Sequence, residues 1–205
     1  MSGLNILCIK LGILILSCVF QAYYIDAQKC TKGIVKAVCN LQPDPTGPNS
    51  QITGTVRFTQ KMTCKQAQRS RPVMVKGEIT GLPQSESIRK LGFHVHANGD
   101  ISNGCRSIGL HYNPLNTDHG GPADPKSRRH VGDLGNVIAN RLGKVTVNFA
   151  APNPVSLYGD MPIIGRTLDL HEREDDLGRG GKPGSTVSGN AGASIACCII
   201  ERVLT

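Results

Sequence analysis

The chain predicts an all-β domain carrying two long loops, on three observations. Eight short runs have strand-like patterning, 24 glycines and 12 prolines punctuate the spaces between them, and aromatic residues make up only 4% of the 205. Short apolar runs bounded by turn formers are the mark of strands, whereas a helical bundle needs longer segments at a 3.6-residue period. The first three runs lie near 33–41, 51–60 and 73–81, the third ending at Gly81. The fourth, 91–97, holds His94 and His96, and the fifth, 133–139, opens on Asp133. In the sixth, 144–150, Val145, Val147 and Phe149 share one face, as a period of two requires. The seventh, 163–170, is an apolar run leading into His171, and the eighth, 194–203, contains Cys197 and Cys198. The gaps 98–132 and 171–193 are too long for plain connectors, and loops of that length usually carry function.

The first 22 residues read differently. They hold one charged side chain, Lys10, before an apolar run from Leu11 to Phe20 that is short for a membrane span and ends near Ala22 and Ala27. This predicts a secretory signal over 1–22, an N-terminal extension over 23–32 and a folded domain over 33–205, with an uncleaved anchor as the alternative. No later segment approaches membrane length, so a secreted, extracellular mature chain is expected. Six cysteines follow the leader, which suits an oxidising compartment: Cys30, Cys39, Cys64, Cys105, Cys197 and Cys198. The sequence alone does not sort their pairing. There is no Asn-x-Ser/Thr acceptor, so N-glycosylation is not expected.

The formal charge is +8, one of which belongs to Lys10. Two basic clusters stand out: Lys61, Lys65, Arg69 and Arg71, and Lys126, Arg128 and Arg129. They either contact an extracellular polyanion or simply keep the surface solvated. No nucleic-acid motif is present and aromatic residues for base stacking are scarce.

All six histidines fall between His94 and His171. Residues two apart on a strand point the same way, so His94 and His96 can grip one ion. His111, His119, His130 and Asp133 follow in a stretch rich in glycine, proline and asparagine; three imidazoles and a carboxylate make a tetrahedral set suited to zinc. His171 stands alone, and a site begun by His94 and His96 still lacks ligands. The pattern reads as two metal sites sharing a ligand.

These residues resemble those of copper/zinc superoxide dismutase. The motifs are Gly92-Phe93-His94-Val95-His96, Gly109-Leu110-His111-Tyr112-Asn113-Pro114, His119-Gly120-Gly121-Pro122 and His130-Val131-Gly132-Asp133-Leu134-Gly135-Asn136-Val137. Gly165-Arg166-Thr167, His171 with Asp175-Asp176-Leu177-Gly178, and Gly189-Asn190-Ala191-Gly192 before Ala196-Cys197 complete the set. The resemblance implies an eight-stranded antiparallel Greek-key barrel or sandwich, in which the two long loops are the metal-binding and electrostatic loops. It is an architecture for which this family is itself a standing example. It assigns copper to His94, His96, His111 and His171, and zinc to His111, His119, His130 and Asp133, with His111 as bridging ligand and proton donor. Asp175 is expected to orient His94 and His119 from behind. A Cys105–Cys197 disulfide is implied; Cys39 matches a buried free cysteine, Cys198 has no clear role, and a Cys30–Cys64 bridge stays open.

Three departures from the family matter. Ser194 stands where an arginine normally docks the superoxide anion, and Val187 where a lysine helps steer it. Arg179 and Lys182 are candidates to replace part of that field. Asn98, Glu201 and Arg202 are polar where family dimers are usually apolar or small, although Gly99 and Ile164 are kept, so the standard dimer is not expected. The resemblance thus implies an extracellular dismutase that converts superoxide to dioxygen and hydrogen peroxide by copper redox cycling, more slowly than its relatives. The alternative is a catalytically weak, dismutase-like copper/zinc-binding protein.

Overall fold

The computed structural model describes residues 33–47, 51–62 and 71–204. Residues 1–33 with 62–70, and 34–61 with 71–205, form two compact units. The first lies almost wholly outside the described residues, as do the expected signal and extension, Cys30, Cys64, Lys65 and Arg69. The second holds every strand among the described residues.

Each of the eight runs forms a strand. They are β1 (Ile34–Pro43), β2 (Thr53–Lys61), β3 (Met74–Thr80), β4 (Arg89–His96), β6 (Asp133–Ala139), β7 (Val145–Ala150) and β8 (Thr167–His171), with the last run divided into β9 (Ser194–Ile199) and β10 (Glu201–Arg202). Within the long loops lie a short strand the sequence did not announce, β5 (Ser102–Cys105), and one turn of helix, α1 (Ser185–Ser188). The sheet runs β10-β1-β2-β3-β7-β6-β4-β8-β9, with every ladder antiparallel. Pairing of Gln42 with Cys197 and Pro43 with Ala196 joins β1 to β9 and closes the barrel. The step from β3 to β4 passes β7 and β6, and the step from β7 to β8 passes β6 and β4; this is the Greek-key order.

Alternation decides what fills the barrel. β1 turns Val35, Ala37, Cys39 and Leu41 inward, β2 Val56 and Phe58, β3 Val75 and Ile79, and β7 Val145 and Val147. β4 and β8 break the half-buried pattern because both of their faces are covered. Leu91, Phe93, Val95, Leu168 and Leu170 alternate with Gly92, His94, His96, Thr167, Asp169 and His171. The first set packs the core. The second faces the two long loops, and there the histidines collect.

The Cys105–Cys197 disulfide ties the first long loop to β9. A second disulfide corrects the expectation of a free Cys39: it bonds to Cys198. Both residues are buried, and they lie on the two strands that meet at the closing seam, a proximity that spacing along the chain cannot reveal. This bond spans 159 residues, so in the chain-entropy picture it restricts most of the unfolded domain. Replacing both cysteines by serine is expected to lower unfolding free energy by about 2–5 kcal/mol. Denaturant titration without reductant measures it, and a loss well under 1 kcal/mol would show that the bond contributes nothing.

Candidate metal centre

Backbone hydrogen bonds bring the first long loop onto β4. Tyr112 N–H donates to the Val95 carbonyl at 2.8 Å, Val95 N–H to Gly132 at 2.9 Å, and Gly132 N–H to Tyr112 at 2.9 Å. The approach is so close that a Cβ on Gly132 would collide with the Val95 carbonyl. Arg166 braces the same corner, donating to the Ala97 carbonyl at 2.7 Å with its guanidinium 3.4 Å from the Tyr112 ring centroid. The second loop docks through Gly92 N–H to Arg173 carbonyl at 2.8 Å, and His119 N–H to Thr186 carbonyl at 2.7 Å joins the two loops.

Two buried ligand groups result. His94, His96, His111 and His171 form one, and His111, His119, His130 and Asp133 the other; within each, ligand-type atoms lie within 4.8 Å of one another. In the first pocket each ring is held by one nitrogen. His96 Nδ1–H donates to the Gly109 carbonyl at 2.8 Å and His171 Nδ1–H to the Gly192 carbonyl at 3.0 Å, while His94 Nε2 meets Asp175 Oδ2 at 2.9 Å. The opposite nitrogens, His94 Nδ1 and the Nε2 atoms of His96, His111 and His171, are buried with no hydrogen-bond partner among the described residues. In the second pocket Asp133 Oδ1 lies 2.9, 3.0 and 3.2 Å from Nδ1 of His111, His119 and His130. The His119 and His130 nitrogens are near that oxygen yet not aligned to donate to it. Asp133 Oδ2 accepts from the backbone N–H of His130 at 2.8 Å and Gly120 at 3.1 Å, which fixes the carboxylate.

Asp175 joins the pockets from behind. Its Oδ2 binds His94 and its Oδ1 lies 2.8 Å from His119 Nε2, with Leu177 N–H donating to Oδ1 at 2.7 Å. Asn136 holds the Asp175 backbone from both sides, at 2.8 Å each. Gly189, at φ +66°, leaves room for it, since a Cβ there would strike Asp175 Oδ1 and His119 Nε2. Burial, chiefly, pulls His94 well below the ordinary imidazole value, His96 to about 3 and His171 to about 4, and lowers His111 despite Asp133. Burial acts the same way on His119, but the two carboxylates it lies between, Asp133 and Asp175, outweigh it and lift this group to about 9. Burial opposes ionisation of Asp133 and Asp175, yet their imidazole partners hold both well below the usual carboxylate range.

Other residues depart from expectation. Arg129, grouped above with surface cations, is wholly buried and donates to the carbonyls of Asn153, Val131 and Asp133. Its side chain braces the second pocket, so it is no part of a basic surface patch. Ser194 turns inward and donates to Asp169 Oδ2 at 2.6 Å, whereas Val187 is exposed. Asp169 itself went unremarked in the sequence, although its place two residues before His171 sets both on one strand face.

A family model of copper/zinc superoxide dismutase matches residues 52–200. The chain belongs to the copper/zinc superoxide dismutase family. "Superoxide dismutase [Cu-Zn] 4" of Dictyostelium discoideum is 43% identical over 83% of this chain and 100% of its own length. "Superoxide dismutase [Cu-Zn] A" of Xenopus laevis is 44% identical over 82% of this chain and 97% of its own. "Extracellular superoxide dismutase [Cu-Zn]" of Drosophila melanogaster is 43% identical over 81% of this chain and 84% of its own. This dismutase is therefore an oxidoreductase acting on superoxide, with copper and zinc as cofactors. The donors fit such metals: an all-imidazole pocket suits copper or zinc, and the imidazole–carboxylate pocket has the donor set of a closed zinc site.

The bridging position of Asp175 makes its loss diagnostic. Asp175→Ala is expected to weaken retention of both metals together, by about 10–100-fold. Metal analysis after graded chelation checks this, and loss of one metal alone would separate the two pockets.

Proposed function

We propose that this chain is a secreted dismutase in which His94, His96, His111 and His171 hold copper, and His111, His119, His130 and Asp133 hold zinc. The observation that carries the reading is His111: its Nδ1 lies 2.9 Å from Asp133, while its Nε2 is among the unpartnered nitrogens of the first pocket. Bound copper supplies the one-electron chemistry, so that two superoxide ions and two protons become dioxygen and hydrogen peroxide. The protein's part is to hold the rings and move a proton. Carbonyls and Asp175 fix the tautomers of His94, His96 and His171, so each presents a lone pair without rearrangement. His111, anchored at Nδ1, carries the proton at Nε2.

Guidance of the anion is weak in this reading. Ser194 has no charge, Val187 is apolar, and Arg179 is bound to Asp124 at 2.6 Å. Lys182 lines a surface pocket with Arg173, Glu174 and Asp176, so two cations there are matched by two acids. A cleft of one charge sign raises anion on-rates by roughly 10- to 1000-fold, a magnitude for which superoxide dismutases are themselves a standing example. Turnover below that of typical relatives, with little salt dependence, follows.

Secretion is supported by the 1–22 leader pattern, the two disulfides and the extracellular fly relative. The described residues include no helix long and apolar enough to cross a membrane. Exposed Asn98, Glu201 and Arg202 argue against the standard family dimer. Exposed Lys61, Arg71, Lys126 and Arg128 remain the cations for a polyanion contact. The reading as a metal-binding protein of little turnover is favoured by one observation, the Ser194–Asp169 pair at the first pocket.

Superoxide disproportionation by the metal-loaded chain, with copper and zinc determined on the same sample, separates the readings. Turnover abolished by His111→Ala, and raised about tenfold with new salt sensitivity by Ser194→Arg, is the result expected. Full metal with negligible turnover would leave the binding protein.

A further inference from the structure

Asp169 is a buried ionisable group at the first pocket that the mechanism above does not use. It has no solvent exposure, and on β8 it sits opposite His94 of β4 and Cys197 of β9. Antiparallel partners share a face, so its side chain enters the first pocket with the histidines. Its Oδ2 lies 3.1 Å from His171 Nε2 and 3.4 Å from His96 Nε2, and its Oδ1 is buried with no partner among the described residues.

The arrangement is short of a cation. His96 and His171 donate through Nδ1 to backbone carbonyls, so each neutral ring turns a lone pair, not a proton, toward the carboxylate. Two nitrogen lone pairs and a carboxylate oxygen thus converge in a sealed space. Among the described residues, the hydrogen-bond donor to Oδ2 is the Ser194 hydroxyl at 2.6 Å. Acceptors gathered in this way repel one another unless a positive ion or a proton sits among them, and burial pushes the Asp169 carboxyl well above its ordinary range, toward holding a proton where no cation is bound.

Resting on the copper assignment above, we propose that Asp169 is a further metal-binding residue of that pocket, adding a carboxylate oxygen to the imidazoles of His94, His96, His111 and His171. Ser194 is its positioning residue, holding the carboxylate by one short hydrogen bond without bringing charge. A hard anionic oxygen favours divalent over monovalent copper, because carboxylates suit hard ions and imidazole is tolerant of both. The pocket therefore retains Cu(II) more strongly, relative to Cu(I), than four imidazoles would.

The test uses the full mature chain loaded with one equivalent each of zinc and Cu(II). Electron paramagnetic resonance and the visible absorption band are recorded for the wild type, Asp169→Asn and Asp169→Val; the valine variant suits β8 should asparagine fold poorly. Competition with chelators selective for each oxidation state gives the Cu(II) and Cu(I) affinities separately. Both variants are expected to change the copper hyperfine coupling and visible band. They should lose Cu(II) affinity at least tenfold while Cu(I) affinity changes less. Wild-type spectra and an unchanged affinity ratio in both variants would overturn the assignment of Asp169. A His171→Ala control keeps the two claims apart: if its Cu(II) spectrum matches the wild type, copper is not in this pocket, and the underlying reading falls together with the inference.

Discussion

Six imidazoles share one buried volume, and most of what lies outside the barrel core serves to keep that volume closed. Neighbouring ring centroids are 4.1 to 6.0 Å apart, so protonation at one site repels protonation at the next. Burial adds its own penalty, which is why His94, His96, His111 and His171 are all held below their ordinary value. The barrel cannot supply this closure. Its interior is filled by Leu91, Phe93 and Val95, leaving the alternate face of β4 outside. The two long loops are therefore a requirement of the histidine pair: the Val95–Tyr112–Gly132 bonds, the Gly92–Arg173 bond and the Cys105–Cys197 disulfide each press a loop onto that face.

Within the closed volume, anions decide what each ring does. Asp133 and Asp175 are ionised because imidazoles face them, and in return they fix which nitrogen each ring offers. His119 lies between both carboxylates and is pushed upward, toward holding a proton. Asp175 is itself immobilised by Asn136 and by the absence of a side chain at Gly189, so the geometry of both pockets traces to backbone contacts in the second loop.

What could be read from the sequence was what depends on local order. Period-two alternation announced strands such as β1, β2 and β7, which bury one face; β5 is four residues long and contributes one buried side chain, Cys105, too little to pattern. The ligand groups were legible from the spacing of His94 and His96 and the cluster from His111 to Asp133. Contacts set by closure of the barrel were not. Cys39 and Cys198 meet only because β1 and β9 adjoin across the seam. Arg129 looked like its solvated neighbours Lys126 and Arg128, yet its guanidinium satisfies three carbonyls in the interior. Asp169 was hidden by its apolar setting, where a charge between Leu168 and Leu170 is the anomaly that period-two alternation would have turned toward His171.

That anomaly also changes how the missing arginine is understood. Position 194 is not a free place at the mouth of the pocket, because its side chain meets the Asp169 carboxylate at 2.6 Å. A guanidinium there would compete with a bound cation for the oxygen that faces His96 and His171. A serine hydroxyl satisfies that oxygen with one bond and brings no charge of its own. On the proposal that Asp169 binds copper, weak guidance of the anion and a carboxyl group in the pocket are two sides of one arrangement: serine at position 194 leaves the Asp169 oxygens to a cation, and it gives up the charge that would collect superoxide.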